Sequence, residues 1–172
     1  RKWDGSESLL MPRPKGFGSL HKQLKDQNAD IIFACFGMNE SFTGEVGLAK
    51  FETDLEAFLR GLQAQRFNGK TPPRIVVVSP IAQEQGGQAR NVNLAHYTAA
   101  MKKVAAARSI RFVDLFAPTR EWMERDDSKP LTFNGIHLTE FGDWVVSHIL
   151  AQALGLSLKK GKADAATATL RR

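Results

Sequence analysis

The chain holds 172 residues, enough for one domain that buries roughly two-thirds of its unfolded surface, and no apolar run nears the ~20 residues a spanning helix needs. Its net charge is +6, but +4 of this lies in the stretch from Leu158 onward, "LKKGKADAATATLRR", and no aromatic residues interleave with the charges, which argues against specific nucleic-acid recognition. A single cysteine, Cys35, excludes an internal disulfide and any multi-cysteine zinc site; within its apolar run it reads as a small buried hydrophobe.

In chain order, the first 16 residues read as loop, because Pro12, Pro14 and Gly16 oppose regular structure. Nothing in "RKWDGSESLLMPRPKGFG" has the charged-then-apolar layout of a targeting signal, so the compartment stays open. Phe17, Leu20 and Leu24 recur at helical spacing up to about Gln27. "ADIIFACFG" is a continuous apolar run ending in glycine, the pattern of a strand covered on both faces. "GLAKFETDLEAFLRGLQAQ" carries Leu48, Phe51, Leu55, Phe58, Leu59 and Leu62 on one helical stripe. After the turn "NGKTPP", "RIVVVSP" is a second buried strand, stopped by Pro80. A long polar loop, "IAQEQGGQAR", is of the kind that borders an active site. A helix over "NVNLAHYTAAMKKVAAAR", a strand over "IRFVDLF", a short helix over "PTREWMERDD" and a closing helix over "TEFGDWVVSHILAQALG" complete the series. The alternation predicts an α/β fold, a three-layer α/β/α arrangement around a parallel sheet, with ligands at the carboxyl ends of the strands. We expect one domain over 1–156 and a basic, flexible tail over 157–172.

Few residues at those strand ends are equipped for chemistry. Asn39, two residues after Gly37, could aim its side-chain amide into a cleft as a preset donor for an oxyanion, or could cap the turn. His137 follows Gly135 in the loop before the closing helix, where it could be packed, bind a metal or act as a base. His21, His96 and His148 fall in helical stretches and read as structural.

Together, "GMN" at 37–39 and "NGIH" at 134–137 resemble blocks III and V of the SGNH (GDSL-type) hydrolases, and the likeness runs from "WDGSES" to the closing helix. The resemblance implies an SGNH/flavodoxin-like sheet and a cofactor-free ester hydrolase, acting on a small-molecule or carbohydrate ester. It further implies His137 as general base, oriented by Asn134, and an oxyanion hole of the Asn39 amide and the Gly5 backbone N–H. Two departures stand out. The Gly-Asp-Ser block with its nucleophilic serine is absent, so the first strand and the serine are expected upstream of Arg1, and this chain alone is expected to be inactive. Where the family usually has its triad aspartate, this sequence has Asn134. An asparagine at that position in a serine protease costs about 10⁴ in rate, yet asparagine serves beside histidine in papain-like enzymes. Glu140 could supply an orienting carboxylate, although favouring the helix start is the simpler role for it.

Other readings are an inactive member of the same fold that binds a carbohydrate or lipid, a nucleotide-binding flavodoxin-like module, and zinc-dependent hydrolysis at His137. The second lacks a glycine-rich phosphate loop, and the third lacks partner histidines at ligand spacing.

Overall fold

The computed structural model describes residues 18–125 and 128–156. Helix α1 (Leu20–Asp26) starts where the Ser19 side chain accepts from the Lys22 N–H at 3.1 Å. Strand β1 (Ile31–Cys35), helix α2 (Leu48–Gln63), strand β2 (Arg74–Val78), helix α3 (Asn91–Ala107) and strand β3 (Arg111–Val113) follow. Helix α4 (Phe116–Met123) and helix α5 (Glu140–Leu154) close the series. The strands form one parallel sheet in the order β1-β2-β3, with Ile31 opposite Arg74 and Val76 opposite Arg111. Because α2 and α3 cross over on the same side, the sheet grows in a single direction, as right-handed connections require.

Two cores flank the sheet. On one face, Phe51, Leu55, Leu59 and Leu62 of α2 join Tyr97, Met101 and Val104 of α3 against Ala34, Ile75 and Val77. This is the apolar stripe predicted from the sequence, with Leu55 and Leu59 fully buried. On the other face, Val146, Ile149, Leu150 and Leu154 of α5 cover Val76, Val78, Val113 and Leu115. A third, smaller cluster lies beyond the carboxyl ends, where Ala82, Leu94 and Phe116 meet Met38. All of the expected elements over the described residues are present. The third strand is shorter than its apolar run suggests, because Leu115 and Phe116 turn into α4.

Strand β1 carries the pattern of an interior strand but stands at the edge of the sheet among the described residues, as that pattern does when no strand pairs on its outer side; only the expected burial of Cys35 is overturned. Within "IIFACF", Ile31 and Phe33 are each 47% exposed and Cys35 is exposed rather than buried. The reason is topological: among the described residues β1 has β2 as its only partner, and the apolar cluster under α5 contains no β1 residue. Side chains on that face of β1 therefore meet solvent, whereas Ala34 on the opposite face is buried by α2 and α3. Phe17, Gly5 and the expected tail 157–172 lie outside the described residues.

Candidate active site

Three loops gather at the carboxyl edge of the sheet. The first follows β1. Gly37 takes φ +100°, which favours glycine, and a Cβ there would stand 2.9 Å from the Met101 sulfur, so that side chain would have to shift for any other residue. The turn after it is cross-braced: the Gly37 N–H donates to Glu40 Oε2 at 2.8 Å, and the Ser41 hydroxyl donates to the Met38 carbonyl at 2.6 Å. Asn39, half-buried, stands at the start of a short 3₁₀ helix over Glu40–Thr43 without making a side-chain cap. Capping is therefore not what its amide does at this turn.

The loop after β2 is less exposed than its polar sequence suggests. Ala82, Gln83 and Glu84 are all buried. Ala82 N–H donates to Thr119 Oγ1 at 2.9 Å, and the Asn91 side chain clamps Gln83 by accepting from its N–H at 2.8 Å and donating to its carbonyl at 2.9 Å. Gln83 Nε2 reaches the Met38 sulfur at 3.4 Å, tying this loop to the turn that carries Asn39.

The loop before α5 is a short hairpin. Thr132 bridges Leu138 in antiparallel fashion, and the Phe133 N–H donates to the His137 carbonyl at 3.0 Å. Gly135 at its tip has φ +88°, and a Cβ would lie 2.6 Å from the Glu84 carbonyl oxygen. Asn134 Oδ1 accepts from the His137 N–H at 2.9 Å and the Ile136 N–H at 3.3 Å, an Asx turn that fixes which end of the amide is oxygen. The same amide meets the imidazole: Oδ1 is 3.1 Å and Nδ2 2.9 Å from His137 Nδ1. His137 is solvent-exposed and its ring stacks on Phe133, centroids 5.7 Å apart. Thr139 then caps α5, its hydroxyl accepting from the Gly142 N–H at 3.0 Å. Glu140 lies in the first turn of α5, and the partner at Nδ1 is Asn134.

These contacts set the chemistry available. Nδ1 can donate to Oδ1, which leaves Nε2 bare and able to accept a proton; or it can accept from Nδ2, which places the proton on Nε2. Only the first tautomer is a base at Nε2. Two serines stand at the strand ends, Ser41 and Ser79, and both are buried and committed. The Ser79 hydroxyl donates to the Pro80 carbonyl and accepts from the Leu115 and Phe116 N–H groups. Among the described residues no group of three or more His, Cys, Asp or Glu could hold a metal ion, and no helix is long and apolar enough to cross a membrane.

The family model of the GDSL-like lipase/acylhydrolase family matches residues 5–145, most of the chain. The chain belongs to this family. Solved structures with the same fold include a tryptophan-to-isoleucine mutant of Axe2, an acetyl-xylooligosaccharide esterase from Geobacillus stearothermophilus, at 15% identity and TM-score 0.61, covering 80% of this chain and 64% of that one. Axe2 itself, described as an acetylxylan esterase, matches at 15% identity and TM-score 0.61 over 77% of this chain and 63% of its own. The acetyl xylan esterase AlAXEase matches at 20% identity and TM-score 0.59, over 74% and 68%. This SGNH-type chain thus spans about two-thirds of the length of these neighbours. No curated protein matches it.

Of the expected site residues, Gly5 lies outside the described residues; the structure brings Asn134 and His137 into hydrogen-bond contact and ties their loop and the Asn39 turn to the neighbouring residues Glu84 and Gln83. Gln83 and Glu84 belong to the polar loop expected to border the site, although the sequence assigns neither a role of its own. Their sequence signal is their place in that loop, just past the proline that ends a buried strand.

Proposed function

We propose that this chain is the larger part of a serine ester hydrolase that removes a short acyl group from a carbohydrate. A serine upstream of Arg1 attacks the ester carbonyl, His137 takes its proton at Nε2 and later delivers it to the leaving sugar hydroxyl. Asn134 holds the imidazole, and the Asn39 amide, with the Gly5 N–H, receives the oxyanion. The observation that carries this reading is the Asn134–His137 contact in a loop at the carboxyl edge of an SGNH sheet. Support also comes from Axe2, whose catalytic mutants alter a serine, an aspartate and a histidine, the last two three residues apart as Asn134 and His137 are. The polar loop after β2 suits a hydrophilic substrate better than a long acyl chain. Acetate release from an acetylated xylo-oligosaccharide by the intact protein is the test. Asn39→Ala is expected to lower turnover by about 10²–10³, the usual cost of one oxyanion donor. Turnover within a few-fold of wild type would remove Asn39 from the oxyanion hole.

A second reading, a sugar- or lipid-binding member without catalysis, draws on the Asn134 Nδ2 at 2.9 Å from Nδ1, a contact that favours the tautomer unable to act as base. Labelling of the intact protein by a serine-reactive phosphonate separates the two, since only the hydrolase has an activated serine to label.

A further inference from the structure

We infer that Glu84 is a positioning residue that sets the pose of His137, and that with Gln83 it forms a bracket fixing one candidate catalytic turn relative to the other. The inference rests on the reading of His137 as general base. Glu84 is 9% exposed, an unusual burial for a carboxylate, and its oxygens face backbone and hydroxyl donors of one short stretch. Oε1 accepts from the Leu131 N–H at 3.2 Å; Oε2 accepts from the Thr132 N–H at 2.8 Å and from the Thr132 hydroxyl at 2.7 Å. The chain of bonds continues to the site. Thr132 Oγ1 accepts from the Gly135 N–H at 3.1 Å, and the Glu84 N–H donates to the Gly135 carbonyl at 3.0 Å. Glu84 therefore grips the hairpin at its base through the side chain and at its tip through the backbone. Asn134 lies between those points, and His137 follows the tip, tied back across the hairpin by the Phe133 N–H donating to its carbonyl at 3.0 Å.

The next residue back holds the opposing turn. Gln83 is 2% exposed, is clamped by Asn91, and gives its amide to Met38, the neighbour of Asn39. Met38 and Ala82 also share one apolar cluster. Two consecutive side chains on a single loop thus fasten the Asn39 turn and the His137 hairpin. A shape-only role is poorly served by a buried carboxylate. Three converging donors need an acceptor with no hydrogen of its own, which a carboxylate supplies and an amide supplies only in part.

The test is Glu84→Gln in the intact protein, read by amide hydrogen exchange, the His137 ring signals in NMR, and steady-state kinetics on the acetylated oligosaccharide. Exchange at Leu131, Thr132 and Gly135 is expected to quicken about tenfold or more, as loss of hydrogen bonds to a charged group implies, while the amides of α2 and α3 keep their protection. The His137 ring signals shift, and kcat falls about 10- to 100-fold with KM nearly unchanged, the pattern of a displaced catalytic group. Thr132→Val, which deletes the relaying hydroxyl and keeps the volume, should move the same signals in the same direction. Wild-type exchange across 131–137 in both variants overturns the inference, and so does an equal acceleration throughout α2 and α3. If wild type shows no turnover while Glu84→Gln loosens the hairpin and shifts the ring, the bracket stands and the esterase reading falls.

Discussion

The amide of Asn134 presents both its ends to one nitrogen of His137, and this conflict is the most testable feature at the scale of single residues. Oδ1 is pinned by the His137 and Ile136 N–H groups, so the amide cannot turn away to remove its donor from Nδ1. An aspartate would keep the same Asx turn, accept from Nδ1–H on either oxygen and stabilise the imidazolium. Asn134→Asp is therefore expected to raise kcat by about tenfold or more, within the ~10⁴ that the reverse change costs in a serine protease. Measured turnover that stays flat or falls would mean that Asn134 does not limit the histidine's tautomer. The pairing itself is what the resemblance of "NGIH" to the family's block V implies. Its double contact is not implied, because which end of an amide faces a ring nitrogen depends on backbone angles that composition does not encode.

Among the elements, the hairpin and α5 are joined by the absence of a side chain. A Cβ on Gly142 would stand 2.0 Å from the Leu131 carbonyl oxygen, a backbone atom that cannot swing aside. Leu131 is fully buried and its N–H donates to Glu84, so pushing it displaces the base of the His137 hairpin. Gly142→Ala is expected to cost about 1–3 kcal/mol, as overpacking usually does, and to lower kcat as well. Thermal unfolding and turnover measured side by side check both halves, and an unchanged melting temperature would contradict the contact. The elements themselves were legible over most of the described chain, because α2 and β2 carry unambiguous patterns: a stripe at helical period and a short apolar run closed by proline. β3 was over-read. Leu115 and Phe116 extend its apolar run, but they are buried in separate clusters beyond the strand end. Apolar character reports burial, and strand geometry is only one way to achieve it.

For the whole molecule, the open face of β1 has consequences for solution behaviour. Ile31 and Phe33 stand exposed on an edge strand whose outer backbone groups have no partner strand among the described residues. Such an edge is a template for association with another chain. The 172-residue chain studied alone is expected to self-associate, and Phe33→Lys is expected to shift it toward monomer by placing a charge on that edge. Sedimentation at several concentrations reads this directly; a wild-type chain that stays monomeric throughout would refute it.

The sequence by itself determined the α/β class, the order of elements and the family, because hydrophobic period and the two short motifs are local properties that survive without knowledge of contacts. It also supplied the candidates Asn39, Asn134 and His137. Tertiary structure alone decided that Gln83 and Glu84 are buried and that they bridge to Met38 and Thr132. Those outcomes depend on which segments, 45 or more residues apart, arrive at the same place. A polar loop becomes a bracket only when the donors it must satisfy are delivered from elsewhere in the chain.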